Sequence, residues 1–219
     1  MIRIVIFGDS IAYGAYDKEG GWTRRLENLL RERTTADPGY RYHIHNFSIP
    51  GDTTEWLLKR FESEVRGVIE QRTADGTKEN RKIIFIFAVG INDSKVAHKS
   101  GKSLVSVEEF RKNIQKLIEE AKRYSSNVVF VGLTSVDEKK LEPITSPFGY
   151  VYKNGNIKTF EDTIKDVCEK FKVHFIPVFK RFAANGHEEL LEDGIHPNSF
   201  GHQKIFEIVK DFLIENGLV

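Results

Sequence analysis

The chain has 219 residues, with 33 Lys or Arg against 32 Asp or Glu and a formal net charge of +1. That balance excludes the strongly basic footprint of a nucleic-acid or anionic-membrane binder. The single cysteine, Cys168, excludes an intrachain disulfide framework and a cysteine-based zinc site, and no apolar run approaches the roughly 18 residues of a membrane span.

Apolar bursts alternate with amphipathic helices along the whole chain. Residues 2–7 predict a buried first strand; the stretch is too short for an export signal and runs straight into Gly8-Asp9-Ser10 without a cleavage site. Trp22, Leu26, Leu29 and Leu30 then repeat at helical spacing, and residues 42–47 predict a second strand. Leu57, Phe61, Val65 and Ile69 mark the next helix, with Asp52 and Glu55 spaced as a capping box. Residues 83–89 (IIFIFAV) are the clearest buried strand. Ser106 and Glu109 suggest a second box, ahead of a helix faced by Phe110, Ile114, Leu117, Ile118 and Ala121. Residues 128–133 predict a fourth strand, Phe160 to Phe171 a helix with Cys168 on its apolar face, residues 173–176 a fifth strand, and Ile205 to Phe212 a last helix.

Five strands joined by helical crossovers predict an α/β protein with a parallel sheet covered on both faces. No linker, repeat or low-complexity tract divides the chain, so one domain is expected over residues 1–219. The missing export signal and disulfide capacity suggest the cytoplasm. One irregular stretch, 134–156, is too long for a simple connection and is expected to be functional, with turns punctuated by Pro143, Pro147 and Gly149.

In an open parallel sheet, ligands sit beyond the carboxyl ends of the strands. Gly8-Asp9-Ser10 follows the first strand, Pro50-Gly51-Asp52 the second and Gly90-Ile91-Asn92-Asp93 the third; Asp193-Gly194-Ile195-His196 lies between the fifth strand and the last helix. Together they offer what acyl transfer needs. The Ser10 hydroxyl is a nucleophile once His196 takes its proton, and Asp193 can hold the imidazole tautomer. The amides of Ser10 and Gly51 and the side-chain amide of Asn92 can receive an oxyanion. Asp9 is read as bonding loop amides and Asp93 as structural.

These four segments, in this order from residue 8 to 196, resemble the sequence blocks of the SGNH, or GDSL-type, hydrolases; the one departure is Ile11 where Leu is commoner. The resemblance implies a flavodoxin-like three-layer α/β/α sandwich and metal-independent hydrolysis of a small or medium acyl ester. It carries over Ser10 as nucleophile, Gly51 and Asn92 as oxyanion donors, and Asp193 and His196 as acid and base. It does not separate an esterase from an acyltransferase or thioesterase on the same site. A non-catalytic flavodoxin-like binding module is the rival of another class, and has no use for an Asp-x-x-His unit.

No cofactor and no nucleic-acid partner are expected. His43 and His45, two apart on a strand, lack a third metal ligand, and His98, His174, His187 and His202 read as surface or satisfied histidines. Phe148, Tyr150 and Tyr152, in the 134–156 stretch, are the candidates for an apolar substrate wall.

Overall fold

The computed structural model describes residues 1–37, 39, 41–69, 82–141, 149–183 and 186–219. In chain order the elements are β1 (Ile2–Gly8), α1 (Ser10–Tyr13), α2 (Gly21–Ala36), β2 (Tyr42–Asn46), α3 (Thr54–Ile69), β3 (Lys82–Ala88), β4 (Val96–Ala97), α4 (Val107–Lys122), β5 (Asn127–Val131), α5 (Glu138–Leu141), β6 (Tyr150–Val151), α6 (Asn154–Phe171), β7 (His174–Ile176), α7 (Phe179–Phe182) and α8 (Ser199–Glu215). The main sheet runs β2-β1-β3-β5-β7, and every pairing in it is parallel. Taken in sequence order its strands stand 2-1-3-4-5, the flavodoxin-like arrangement.

Strand alternation sorts the core into two layers. Val5, Phe7, Phe85, Phe87, Val128 and Phe130 point to one face and meet α3, α4 and α6 through residues such as Phe61, Ile114 and Phe160. Ile4, Ile6, Ile84, Ile86, Val129 and Val131 point to the other and meet α2 and α8 through Trp22, Leu26, Ile205 and Val209. One face is thus aromatic, with Phe7 stacked on Phe87 at 5.8 Å and Phe87 on Phe130 at 4.8 Å. Each such side chain, fully buried, contributes about 1.5–3 kcal/mol. Both faces being covered, the central strands β1, β3 and β5 read as near-continuous apolar runs.

The five expected strands and their helices are all present. The capping box at Asp52 is not. Thr53 occupies the cap of α3, its carbonyl accepting the Leu57 amide at 3.0 Å, while the Asp52 carboxylate is taken by Arg60 Nε and Nη2 at 2.9 and 2.6 Å. An arginine about two helical turns further on outbids the orphan amides for that carboxylate. Ser106 does cap α4 through the Glu109 amide (3.2 Å), and Asn198 caps α8 through the amides of Phe200 and Gly201.

The described parts of the 134–156 stretch hold regular structure where turns were expected. It contains α5, and β6 pairs antiparallel with β4, a ribbon too short to leave a pattern in sequence. Helix α6 begins at Asn154. Pro143, Pro147 and Phe148 lie outside the described residues.

Helix α8 closes against the loops of the site at two neighbouring residues. A Cβ at Gly201 would stand 2.4 Å from the Leu190 carbonyl oxygen and 2.8 Å from Pro197 Cβ. His202 is fully buried; its Nδ1 accepts the Trp22 amide and its Nε2–H donates to the Ala15 carbonyl, both at 3.3 Å. Burial pushes the imidazole down to about 4.

Two outcomes follow from this junction. Gly201→Ala should destabilise by roughly 1–3 kcal/mol, measured by urea unfolding, because backbone has to move to admit the methyl group. For His202, a depressed folded-state pKa means its stabilisation is complete above the ordinary value near 6.5 and is lost as pH falls toward about 4. The stability gap between wild type and His202→Asn should therefore be widest near neutrality and shrink by up to roughly 3 kcal/mol toward pH ~4. A gap that does not change with pH would contradict the neutral, buried state of this ring.

Candidate active site

Strand β1 delivers Ser10 to the carboxyl edge of the sheet as the first residue of α1. Asp9 caps that short helix, its Oδ1 accepting the Ile11 amide at 2.9 Å. Burial pushes the Asp9 carboxyl up to about 7, against the opposing pull of that amide and of His196.

The second contribution comes from a tight excursion between Leu191 and Pro197, closed by the Glu192 amide on the His196 carbonyl at 2.8 Å. Inside it Asp193 Oδ1 accepts the amides of Ile195 and His196 at 2.9 and 2.8 Å, an Asx turn that Gly194 completes at φ +94°. The other carboxylate oxygen, Oδ2, accepts His196 Nδ1–H at 2.7 Å. Partial burial raises this carboxyl, but the three N–H donors outweigh it and hold Asp193 at about 2. Asp193 is then an acceptor only, so Nδ1 carries the proton and Nε2 is left to accept. The partner at Nε2 is the Ser10 hydroxyl, which donates to it at 2.9 Å. Three residues separated by up to 186 positions thus form one continuous hydrogen-bonded chain.

The third contribution comes from the loops after β2 and β3. The Asp52 amide donates to the Ile49 carbonyl at 3.1 Å, closing a turn with Gly51 at φ +86°, the position that favours glycine in a type II turn. Asn92 is buried, and its Nδ2 donates one hydrogen to the Asp52 carbonyl at 2.9 Å. Asp93 joins the same two loops: its carboxylate accepts the Thr54 amide at 3.1 and 3.2 Å and the Thr54 hydroxyl at 2.5 Å, at the start of α3. Among the described residues the amides of Ser10 and Gly51 have no backbone acceptor.

Ser10, at the start of α1, and Gly51, Asn92, Asp193 and His196, on loops, therefore stand at one edge of the sheet. Tyr150 and Tyr152 are half-buried, and the Tyr152 hydroxyl donates to Asn92 Oδ1 at 3.1 Å. Tyr16 was not legible in sequence. Its ring lies 5.0 Å from that of His196, and its backbone is left-handed at φ +64°, a conformation with no sequence signature for tyrosine. No group of three or more His, Cys, Asp or Glu that could hold a metal ion is found among the described residues. Likewise, none of their helices is long and apolar enough to cross a membrane.

Comparison with known proteins shows the family of the chain. Residues 6–204 match the model of the GDSL-like lipase/acylhydrolase family. The isoamyl acetate-hydrolyzing esterase of Saccharomyces cerevisiae is 23% identical over 220 residues, covering 96% of this chain and 87% of that protein. Esterase TesA of Pseudomonas aeruginosa is 23% identical over 207 residues, covering 94% and 85%. The crystal structure of the lipase/acylhydrolase from Enterococcus faecalis superposes with a TM-score of 0.70 at 24% identity, covering 97% of this chain and 95% of that one, a likeness of fold. The chain belongs to the GDSL-like lipase/acylhydrolase family and is a hydrolase acting on ester bonds.

Proposed function

We propose that the protein is a carboxylic ester hydrolase acting through an acyl-enzyme on Ser10, as one domain spanning residues 1–219. The observation that supports this is the relay from Ser10 Oγ to His196 Nε2 (2.9 Å) and from His196 Nδ1 to Asp193 Oδ2 (2.7 Å). Ser10 Oγ attacks the ester carbonyl carbon while His196 Nε2 takes its proton. Asp193 stabilises the resulting imidazolium without itself being protonated. The negative oxygen of the tetrahedral intermediate receives the amides of Ser10 and Gly51 and the second Nδ2 hydrogen of Asn92. Collapse breaks the bond to the alcohol, which leaves with the proton from Nε2. Water then attacks the acyl group on Ser10, gives a proton to His196 and releases the acid, and the proton returns to Ser10 Oγ.

None of these steps requires a metal ion. Small and medium acyl esters are the proposed substrates, with the 134–156 segment, Tyr150 and Tyr152 included, as the wall that selects among them. The relatives include an isoamyl acetate-hydrolyzing esterase, in keeping with a short acyl group. The only cysteine, Cys168, is free and buried, in keeping with the cytoplasm.

Ser10→Ala should fold normally yet lose labelling by a fluorophosphonate probe along with its esterase activity; labelling retained at wild-type level would move the nucleophile elsewhere. Asn92→Ala should lower kcat on p-nitrophenyl acetate by roughly 10²–10³ with a smaller change in KM, because its donor acts on charge that develops in the transition state. Activity should be unchanged by EDTA. Loss to a chelator with rescue by a divalent ion would overturn the metal-free mechanism.

A further inference from the structure

The Asn92 side chain has a defined orientation, set by Asp52 and Tyr152. Its Nδ2 faces the Asp52 carbonyl oxygen at 2.9 Å, and a carbonyl can only accept. The amide nitrogen must therefore lie on that side and Oδ1 on the other. At Oδ1 stands the Tyr152 hydroxyl, 3.1 Å away. With one Nδ2 hydrogen on Asp52 and Oδ1 capped by the phenol, the second Nδ2 hydrogen remains for an incoming oxyanion. Neither contact is to substrate; both act on the plane and the rotation of the amide.

The phenol is itself well held. Its ring packs against the core layer of α3, α4 and α6, and the Lys95 ammonium stands 5.5 Å from the ring centroid. The residue just before it, Val151, is registered with Val96 in the ribbon, and Val96 lies four residues after Asn92. The segment that carries the phenol is thus tied to the loop that carries the amide. Burial first, then the charges of Asp9 and Asp193, keep the phenol above its ordinary pKa, so it stays a donor at neutral pH.

We propose that Tyr152 is a positioning residue: its hydroxyl locks the Asn92 amide so that the free Nδ2 hydrogen serves as the side-chain donor of the oxyanion hole. This rests on the assignment of Asn92 as an oxyanion donor. It gives residues 149–156 a role in the chemistry beside any role in selecting substrate.

The test is a double-mutant cycle on p-nitrophenyl acetate hydrolysis, with urea unfolding of every variant to establish folding. Tyr152→Phe keeps the ring and removes only the hydroxyl. It should lower kcat about tenfold, the scale of one hydrogen bond, and leave KM within about twofold. In the Asn92→Ala background the same change should have almost no further effect, since the group it positions is gone. A merely structural or wall-forming tyrosine predicts the opposite: a loss carried by KM, or an equal loss of kcat in both backgrounds. Either result, or an unchanged kcat in a folded Tyr152→Phe, overturns the proposal. Wild-type kcat in Asn92→Ala would overturn the oxyanion assignment and this proposal with it. A large loss in Asn92→Ala beside none in Tyr152→Phe would overturn this proposal alone.

Discussion

Strands β1 and β3 are hydrogen-bonded neighbours along their whole length, yet the chain leaves them toward opposite faces of the sheet. From β1 it passes to α2 in one layer, and from β3 to α4 in the other. Right-handed crossovers leave no other choice once the second strand is laid to one side of the first and the later strands to the other. The loops after β1 and β3 must then part, and a crevice opens where they do. Ser10 stands on one lip and Asn92 on the other. The segment bearing Asp193 and His196 reaches the same place because it precedes α8, which packs in the layer of α2.

Three aspartates around this crevice show how burial and hydrogen bonding compete. Asp193 is the least enclosed and accepts three N–H groups, and it is held at about 2. Asp93 is fully buried, and although it accepts the Thr54 amide and hydroxyl, burial wins and lifts it to about 6. Asp9, buried with one amide donor, rises to about 7. The acceptor that has to stay ionised beside an imidazolium is the one that combines three N–H donors with the least burial. The other two serve as ties: Asp9 caps the helix of Ser10, and Asp93 fastens the β3 loop to the start of α3.

The sheet was legible in sequence because both its faces are covered. Runs such as Ile84 to Phe87 leave no other reading, and turn residues punctuate their ends. The four site segments were legible because each follows a strand or precedes a helix in the order a parallel sheet demands. What escaped reading is set by contacts distant in the chain. Asp52 has the spacing of a cap but is drawn to Arg60. The β4–β6 ribbon joins two residues to two others across more than fifty positions. Tyr152 looked like part of an apolar wall because nothing local distinguishes a phenol that meets solvent or substrate from one that meets an amide sixty residues away.

The turn that carries Asp193 does not stand by itself. The Asp137 amide donates to the Gly194 carbonyl at 2.8 Å, Lys140 Nζ donates to the Glu192 carbonyl, and Leu141 packs where a Cβ on Gly194 would be. A few residues on, Asn154 clasps Val136 through both its amide oxygen and its amide nitrogen, at 2.9 and 2.8 Å. The stretch between β5 and α6 is therefore a brace as well as a border. Its described ends, at 136–141 and 149–156, are constrained by what they support. Whatever recognition surface this segment carries, changing it means keeping both footings, because the acid of the relay leans on them.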